Sequence, residues 1–149
     1  MTTLQTGDKA PDFSVEDQDG NLHTLKDYAG KKLVIFFYPK ASTPGCTAQA
    51  CNLRDNYKAL QAQGYEVLGV SADTKRRQTN FKNKNELPFP LLADEKKEML
   101  NAYKVWGLKK NFGREYEGIY RTTFLIDEKG VIEEVITKVK TKEHAAQIL

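Results

Sequence analysis

Six consecutive residues, Leu33-Val34-Ile35-Phe36-Phe37-Tyr38, form an apolar run with no polar interruption. A strand with one wet face alternates apolar and polar residues; this one does not, so it must be buried on both faces. It therefore needs a packed layer on each side, which is the condition of an α/β fold. Pro39 ends the run. Thr43 then suits a helix N-cap and Pro44 the first helical position. Cys46, Ala50, Leu53, Tyr57 and Leu60 follow at helical spacing and make one buried stripe, and Gly64 reads as the stop. Val67 to Ser71 is a second buried strand. The order strand–helix–strand predicts a parallel pair with a right-handed crossover.

The rest of the chain fills in around that unit. Phe13 and Val15 lead to Asp19-Gly20, a hairpin turn signal, with Leu22 and Leu25 beyond it. Asp17-Gln18-Asp19-Gly20 has the opening of a calcium loop but lacks the downstream Glu, so it is read as that turn. Residues 74–85 read as a polar helix and Leu87-Pro88-Phe89-Pro90 as extended chain. A short helix is expected from Lys96 to Tyr103, a long loop over 107–118, and a strand over Thr122 to Asp127. Glu128-Lys129-Gly130 turns into another strand, Val131 to Ile136, and Thr141 is expected to cap a final helix. The expectation is one α/β domain over residues 1–149, with a central mixed β-sheet flanked by helices and an N-terminal β-hairpin. The pattern fits a thioredoxin-like fold.

Composition narrows the function. A net charge of +3 is small for a nucleic-acid binder. Lys75-Arg76-Arg77 with Lys82 and Lys84 has no aromatic platform beside it and reads as a solvated helix face. No apolar run approaches the roughly 18 residues that cross a bilayer. The opening MTTLQTGDKAPDF has no apolar core of a signal peptide, so a cytoplasmic location is expected. There are two cysteines and two histidines, too few soft ligands for an easy zinc site, and no metal or cofactor is expected. His23 and His144 read as surface residues; Tyr38 and Trp106 read as core rather than pocket.

In a reducing compartment two thiols five positions apart suggest redox chemistry, half a metal site or coincidence. The segment Pro39 to Cys46 joins the C-terminal end of a buried strand to the start of a helix, the edge at which open α/β sheets bind ligands. Cys46 falls in the first helical turn, facing the positive end of the dipole and unpaired N–H groups. Thiolate is the reactive form, and a free thiol is only about 3% ionised at pH 7. A helix dipole contributes about 0.3–1 kcal/mol, less than one unit of pKa. A cation within about 4–6 Å adds roughly 1–3 units. A reactive thiol here therefore requires a cation, and arginine suits best because it stays charged and offers a fork of donors.

Cys51 is not a relaxed disulfide partner. Five residues along a continuous helix give about 7.5 Å of rise and a Cα separation of roughly 8.6 Å, beyond the about 7 Å that a disulfide spans. A bond between them requires the first turns to unwind, and Gly45 weakens that end.

These residues resemble a family. Pro39, Thr43 and Cys46 reproduce the Pro-x-x-x-Thr-x-x-Cys motif of peroxiredoxins. Phe37-Tyr38-Pro39 through Thr43-Pro44-Gly45-Cys46-Thr47, with Cys51 at the fifth position after Cys46, is similar to the peroxiredoxin Q group, also called bacterioferritin comigratory proteins. Gly7 to Phe13 matches the family's opening and Gly118 to Asp127 its later strand, with Arg121 at the family's arginine. The resemblance implies a thiol peroxidase. Cys46 would attack hydrogen peroxide or an organic hydroperoxide and become a sulfenic acid. Thr43 would orient the peroxide, Arg121 would stabilise thiolate and developing charge, and Pro39 would shield the sulfenic acid. Cys51 would resolve it as an intramolecular disulfide, recycled by thioredoxin or a similar dithiol protein. It also implies a monomer. Ala41 and Gln49 stand where an acidic residue is common, and Leu108 replaces a common Glu.

Other readings stay open on the residues alone. Cys51 could be uninvolved, leaving a one-cysteine peroxidase. A thiol–disulfide reductase would prefer Cys-x-x-Cys to this four-residue spacer. A cysteine hydrolase needs a histidine base. A redox-gated binding module would be oxidised once without turnover.

Overall fold

The computed structural model describes residues 2–149. The chain opens with a hairpin of β1 (Ser14–Glu16) and β2 (Leu22–Thr24). The central unit follows as β3 (Lys32–Phe37), α1 (Pro44–Asp55), α2 (Tyr57–Ala62) and β4 (Tyr65–Ser71). Then come α3 (Lys75–Lys84), β5 (Leu91–Ala93), α4 (Glu98–Ala102), β6 (Trp106–Asn111), β7 (Arg114–Ile119), β8 (Thr122–Ile126), β9 (Ile132–Ile136) and α5 (His144–Ile148). Five strands form the main sheet in the order β5-β4-β3-β8-β9. β3 pairs parallel with β4 and antiparallel with β8, so the sheet is mixed, as expected.

The apolar run of β3 occupies the sheet's middle. Val34, Phe36 and Tyr38 point into one core with Ala50, Leu53, Leu60, Phe81 and Ile148. Leu33, Ile35 and Phe37 point into the other with Phe13, Leu100, Tyr103 and Phe124. Beside it, Gly69 of β4 admits no side chain: a Cβ there would lie 2.7 Å from Leu91 Cδ2 and 2.8 Å from Phe36 Cζ.

Four local expectations are corrected. The helix expected to run from its cap at Thr43 to a stop at Gly64 breaks at Asn56 (φ −111°, ψ 13°), where the Asn56 amide donates to the Asn52 carbonyl at 2.8 Å and competes with the helical ladder. The expected loop over 107–118 is a hairpin, β6 with β7. Phe112 (φ 51°) and Gly113 (φ 76°) supply the two left-handed residues of its turn. Thr141 does not cap the last helix, which begins at His144 after a turn, with Glu143 at its N-cap. Nor are the histidines surface groups. His144 is fully buried, 2.7 Å from Thr123 Oγ1 and 2.8 Å from Gln147 Oε1. His23 is half-buried between Asp17 (2.7 Å) and Tyr28 (2.8 Å). Among the described residues no helix is long and apolar enough to cross a membrane.

Candidate active site

The loop from Tyr38 to Thr43 is fastened to the neighbouring strand before it enters α1. Tyr38 N–H donates to Val70 O at 3.1 Å, and its buried hydroxyl donates to Gln78 Oε1. Gln78 in turn donates to Ser71 Oγ (2.9 Å) and Leu92 O (2.8 Å). Asp73 Oδ2 accepts from Ala41 N–H and from Ser71 Oγ, both at 2.7 Å. Ser42 then adopts φ 64°, a left-handed conformation that turns strand into helix. Tyr38 is thus a core residue that supports the loop from beneath, and burial holds its phenol well above the ordinary range.

Thr43 takes the N-cap position with an extended backbone, and its carbonyl accepts from Thr47 N–H at 2.8 Å. Its hydroxyl does not cap the helix as expected. It donates instead to Lys40 O at 2.8 Å. The first-turn N–H groups of Gly45 and Cys46 therefore gain no side-chain cap from it, and they have no carbonyl partner within the helix. Pro39 follows β3 directly and is half-buried.

Cys46 is 1% exposed at the start of α1. The sheet carries Arg121 to it. Phe37 pairs with Thr122 across β3 and β8, so the residue preceding β8 comes alongside the strand end from which the loop departs. Arg121 Nη2 lies 3.4 Å from Cys46 Sγ, and Nη1 donates to Gln49 Oε1 at 2.6 Å. The fork thus sets a positive charge and an N–H donor against the sulfur. Gly45 allows this approach, since a Cβ there would lie 3.3 Å from Arg121 Nη2.

A second cation, which the sequence reading missed, stands on the β6–β7 hairpin. Lys109 Nζ donates to Ile119 O at 3.0 Å and lies 5.9 Å and 6.0 Å from the ring centres of Tyr116 and Tyr120. Burial first, then the charge of Arg121, pull its ammonium below the ordinary range, while Cys46 acts the other way. Trp106, on the same hairpin, is half-buried, with Lys97 Nζ 5.0 Å above its ring and its N–H directed at Glu117.

Cys46 and Cys51 are both free thiols on the unbroken α1. Cys51 Sγ donates to Asn85 Oδ1 at 3.6 Å, away from the Arg121 fork. The structure thus brings Cys46, Arg121 and Gln49 together and leaves Cys51 with a separate partner.

Comparison with known proteins identifies the family and the fold that carry this arrangement. The AhpC/TSA family model matches residues 6–135. The chain belongs to the AhpC/TSA family. It is 45% identical over 147 residues to peroxiredoxin Bcp of Bacillus subtilis, covering 99% of this chain and 94% of that protein. It is 46% identical over 149 residues to peroxiredoxin Bcp of Escherichia coli K12, covering 100% and 96%. A structure of Xanthomonas campestris bacterioferritin comigratory protein, described for its alkyl peroxide reduction activity, superposes with a TM-score of 0.88 at 32% identity, covering 99% of this chain and 94% of that one. The resemblance read from Pro39, Thr43, Cys46 and Arg121 is confirmed at the level of family and fold: this is a peroxiredoxin, a thiol-dependent peroxidase.

Proposed function

We propose that Cys46 is the residue that reduces the hydroperoxide, and the observation carrying this is Arg121 Nη2 at 3.4 Å from its sulfur. The thiolate attacks the distal peroxide oxygen. The O–O bond breaks, its electron pair leaves with the proximal oxygen, and that oxygen takes a proton to become water or an alcohol. Cys46 is left as a sulfenic acid. Arg121 stabilises the thiolate and then the charge passing to the leaving oxygen. The first-turn N–H groups and the Thr43 hydroxyl orient the peroxide, the latter through the lone pairs left over while it donates to Lys40 O. Pro39 shields the sulfenic acid from water. Cys51 thiol then displaces hydroxide from the sulfenic sulfur, giving a Cys46–Cys51 disulfide and one water. A dithiol protein of the thioredoxin class returns both thiols by disulfide exchange. Hydrogen peroxide and organic hydroperoxides are the substrates; the protein works as a cytoplasmic monomer.

The intact helix constrains the second step. Cα atoms five residues apart on α1 stand about 8.6 Å from one another, so the disulfide forms only when the segment between the cysteines unwinds. Peroxide consumption coupled to thioredoxin, thioredoxin reductase and NADPH tests the cycle, with Cys46→Ser and Cys51→Ser run beside the parent. Cys46→Ser should be inactive, and Cys51→Ser should complete one turnover and stall. Continued cycling by Cys51→Ser would leave a one-cysteine peroxidase. Full activity in Cys46→Ser would overturn the assignment of Cys46.

A further inference from the structure

Gln49 follows Cys46 by three residues on α1, on the same face of the helix. It is fully buried. One guanidinium joins the two residues: Arg121 Nη1 bonds the Gln49 carbonyl oxygen at 2.6 Å, and Nη2 reaches Cys46 Sγ at 3.4 Å. The fork is planar and rigid, so the anchor of one nitrogen fixes the aim of the other. The partner that anchors it carries no charge. A carboxylate in this place would hold the fork equally well but would spend part of its positive charge on itself.

The remainder of the glutamine is poorly served. Its Nε2 is buried and has no hydrogen-bond partner, a condition that native interiors ordinarily avoid. Methionine would fill the same volume without an orphaned donor. The oxygen of Gln49 is therefore the part of the side chain that the site uses.

We propose that Gln49 is a positioning residue that aims Arg121 at Cys46 while leaving the guanidinium charge undivided for the sulfur. This rests on the reading of Cys46 as the reactive thiol. Ionisable groups near enough to interact with Arg121 or Cys46 include Lys109 from the hairpin, His144 from α5 and Tyr38 after β3, and Asp73 after β4 lies near Tyr38. Asp73 is engaged by Ala41 N–H and Ser71 Oγ. The acid introduced by Gln49→Glu would be the first placed against the Arg121 fork itself.

The test follows alkylation of Cys46 by iodoacetamide against pH in the Cys51→Ser background, where one thiol remains. Gln49, Gln49→Glu and Gln49→Met are compared, with circular dichroism confirming that each is folded. Gln49→Glu should move the half-maximal pH of alkylation upward by about one unit, a roughly tenfold loss of thiolate at limiting pH. Gln49→Met, which frees the fork, should lower kcat/KM for peroxide about tenfold without that full shift. An unchanged alkylation profile in Gln49→Glu overturns the charge argument, and unchanged kinetics in Gln49→Met overturns the positioning role. Peroxide consumption with dithiothreitol, measured with both cysteines in place in the parent and in each Gln49 variant, separates the layers. If the parent consumes peroxide and the variants match it, the inference on Gln49 fails alone. If the alkylation profiles separate as expected while the two-cysteine parent consumes none, the role of Gln49 stands and the peroxidase reading of Cys46 falls.

Discussion

The two halves of α1 are held by different means. Among the described residues, the side-chain hydrogen bonds of the leading half, with Cys46 and Gln49, run sideways to a single residue, Arg121. It begins without a side-chain cap and has no acidic residue in its first turn to meet the dipole. The trailing half is clasped from two directions. Asn52 donates to Lys142 O at 3.0 Å and accepts from Ala145 N–H at 2.8 Å, which fixes α5. Arg54 donates to Asn85 O at 2.7 Å, beside the bond from Cys51 to the same asparagine. The half that moves in the proposed cycle is thus the weakly fastened one, and Cys51 sits where the fastening starts. Unwinding in the proposed cycle should proceed from Pro44 inward and stop near Cys51.

Removing the one sideways tie of the leading half should have the largest effect. Arg121→Met deletes both the cation and the fork, and kcat/KM for peroxide should fall by roughly 10²–10³, measured by stopped flow. A loss below tenfold would mean that the first-turn N–H groups and Lys109 suffice. The trailing half should answer differently. Asn52→Ala removes two hydrogen bonds worth about 1 kcal/mol each. Thermal unfolding should drop by about 4–8 °C, and the amides of 142–148 should exchange faster, with Cys46 alkylation unchanged. A matching loss of Cys46 reactivity would show that the halves are not independent.

The smallest effect concerns the element clasped by Asn52. Burial, aided by the charge of Arg121 and opposed by the bond to Gln147, holds His144 below the ordinary imidazole range. The folded chain keeps the ring neutral, while the unfolded chain takes up a proton near pH 6.5. Its contribution to stability is therefore full above about pH 6.5 and declines as the pH falls from there through the lower folded value. Melting temperatures between pH 7 and pH 5 should slope less in His144→Gln than in the parent. Equal slopes would place the acid sensitivity of that window elsewhere. Asp17 would not supply it. There burial opposes ionisation, but bonds from His23 and two backbone N–H groups outweigh it and hold the carboxyl below its usual range, so its contribution is lost only below about pH 4.

What the sequence disclosed and what it hid follow from the range of the interactions. The β3 run was legible because a strand buried on both faces has no other composition. The start of α1 was legible from Thr43-Pro44, although the Thr43 hydroxyl turned out to serve Lys40 O. Arg121 was reached by requiring a cation and then by family likeness. The β6–β7 hairpin was hidden: Lys109, Lys110, Glu115 and Glu117 give it no apolar alternation, and Phe112-Gly113 lacks the usual asparagine or aspartate in the turn. Gln49, Asn52 and Asn85 matter through partners 31 to 93 residues away, and no local pattern announces such contacts. His144 was misread because one imidazole in a polar stretch gives no sign of being interior.

Gly69 carries a consequence for anyone mapping mutational tolerance in this chain. It touches no peroxide and no thiol, yet every side chain larger than hydrogen there must displace Phe36 or Leu91. Phe36 shares a core with Cys46 and Ala50, so the displacement would be felt on the site's side of the sheet. A saturation scan scored on peroxide survival should therefore show position 69 as intolerant as a reactive residue. Scored on abundance instead, position 69 would fail while Cys46→Ser would pass, and only the pair of scans would tell a spacer from the proposed nucleophile.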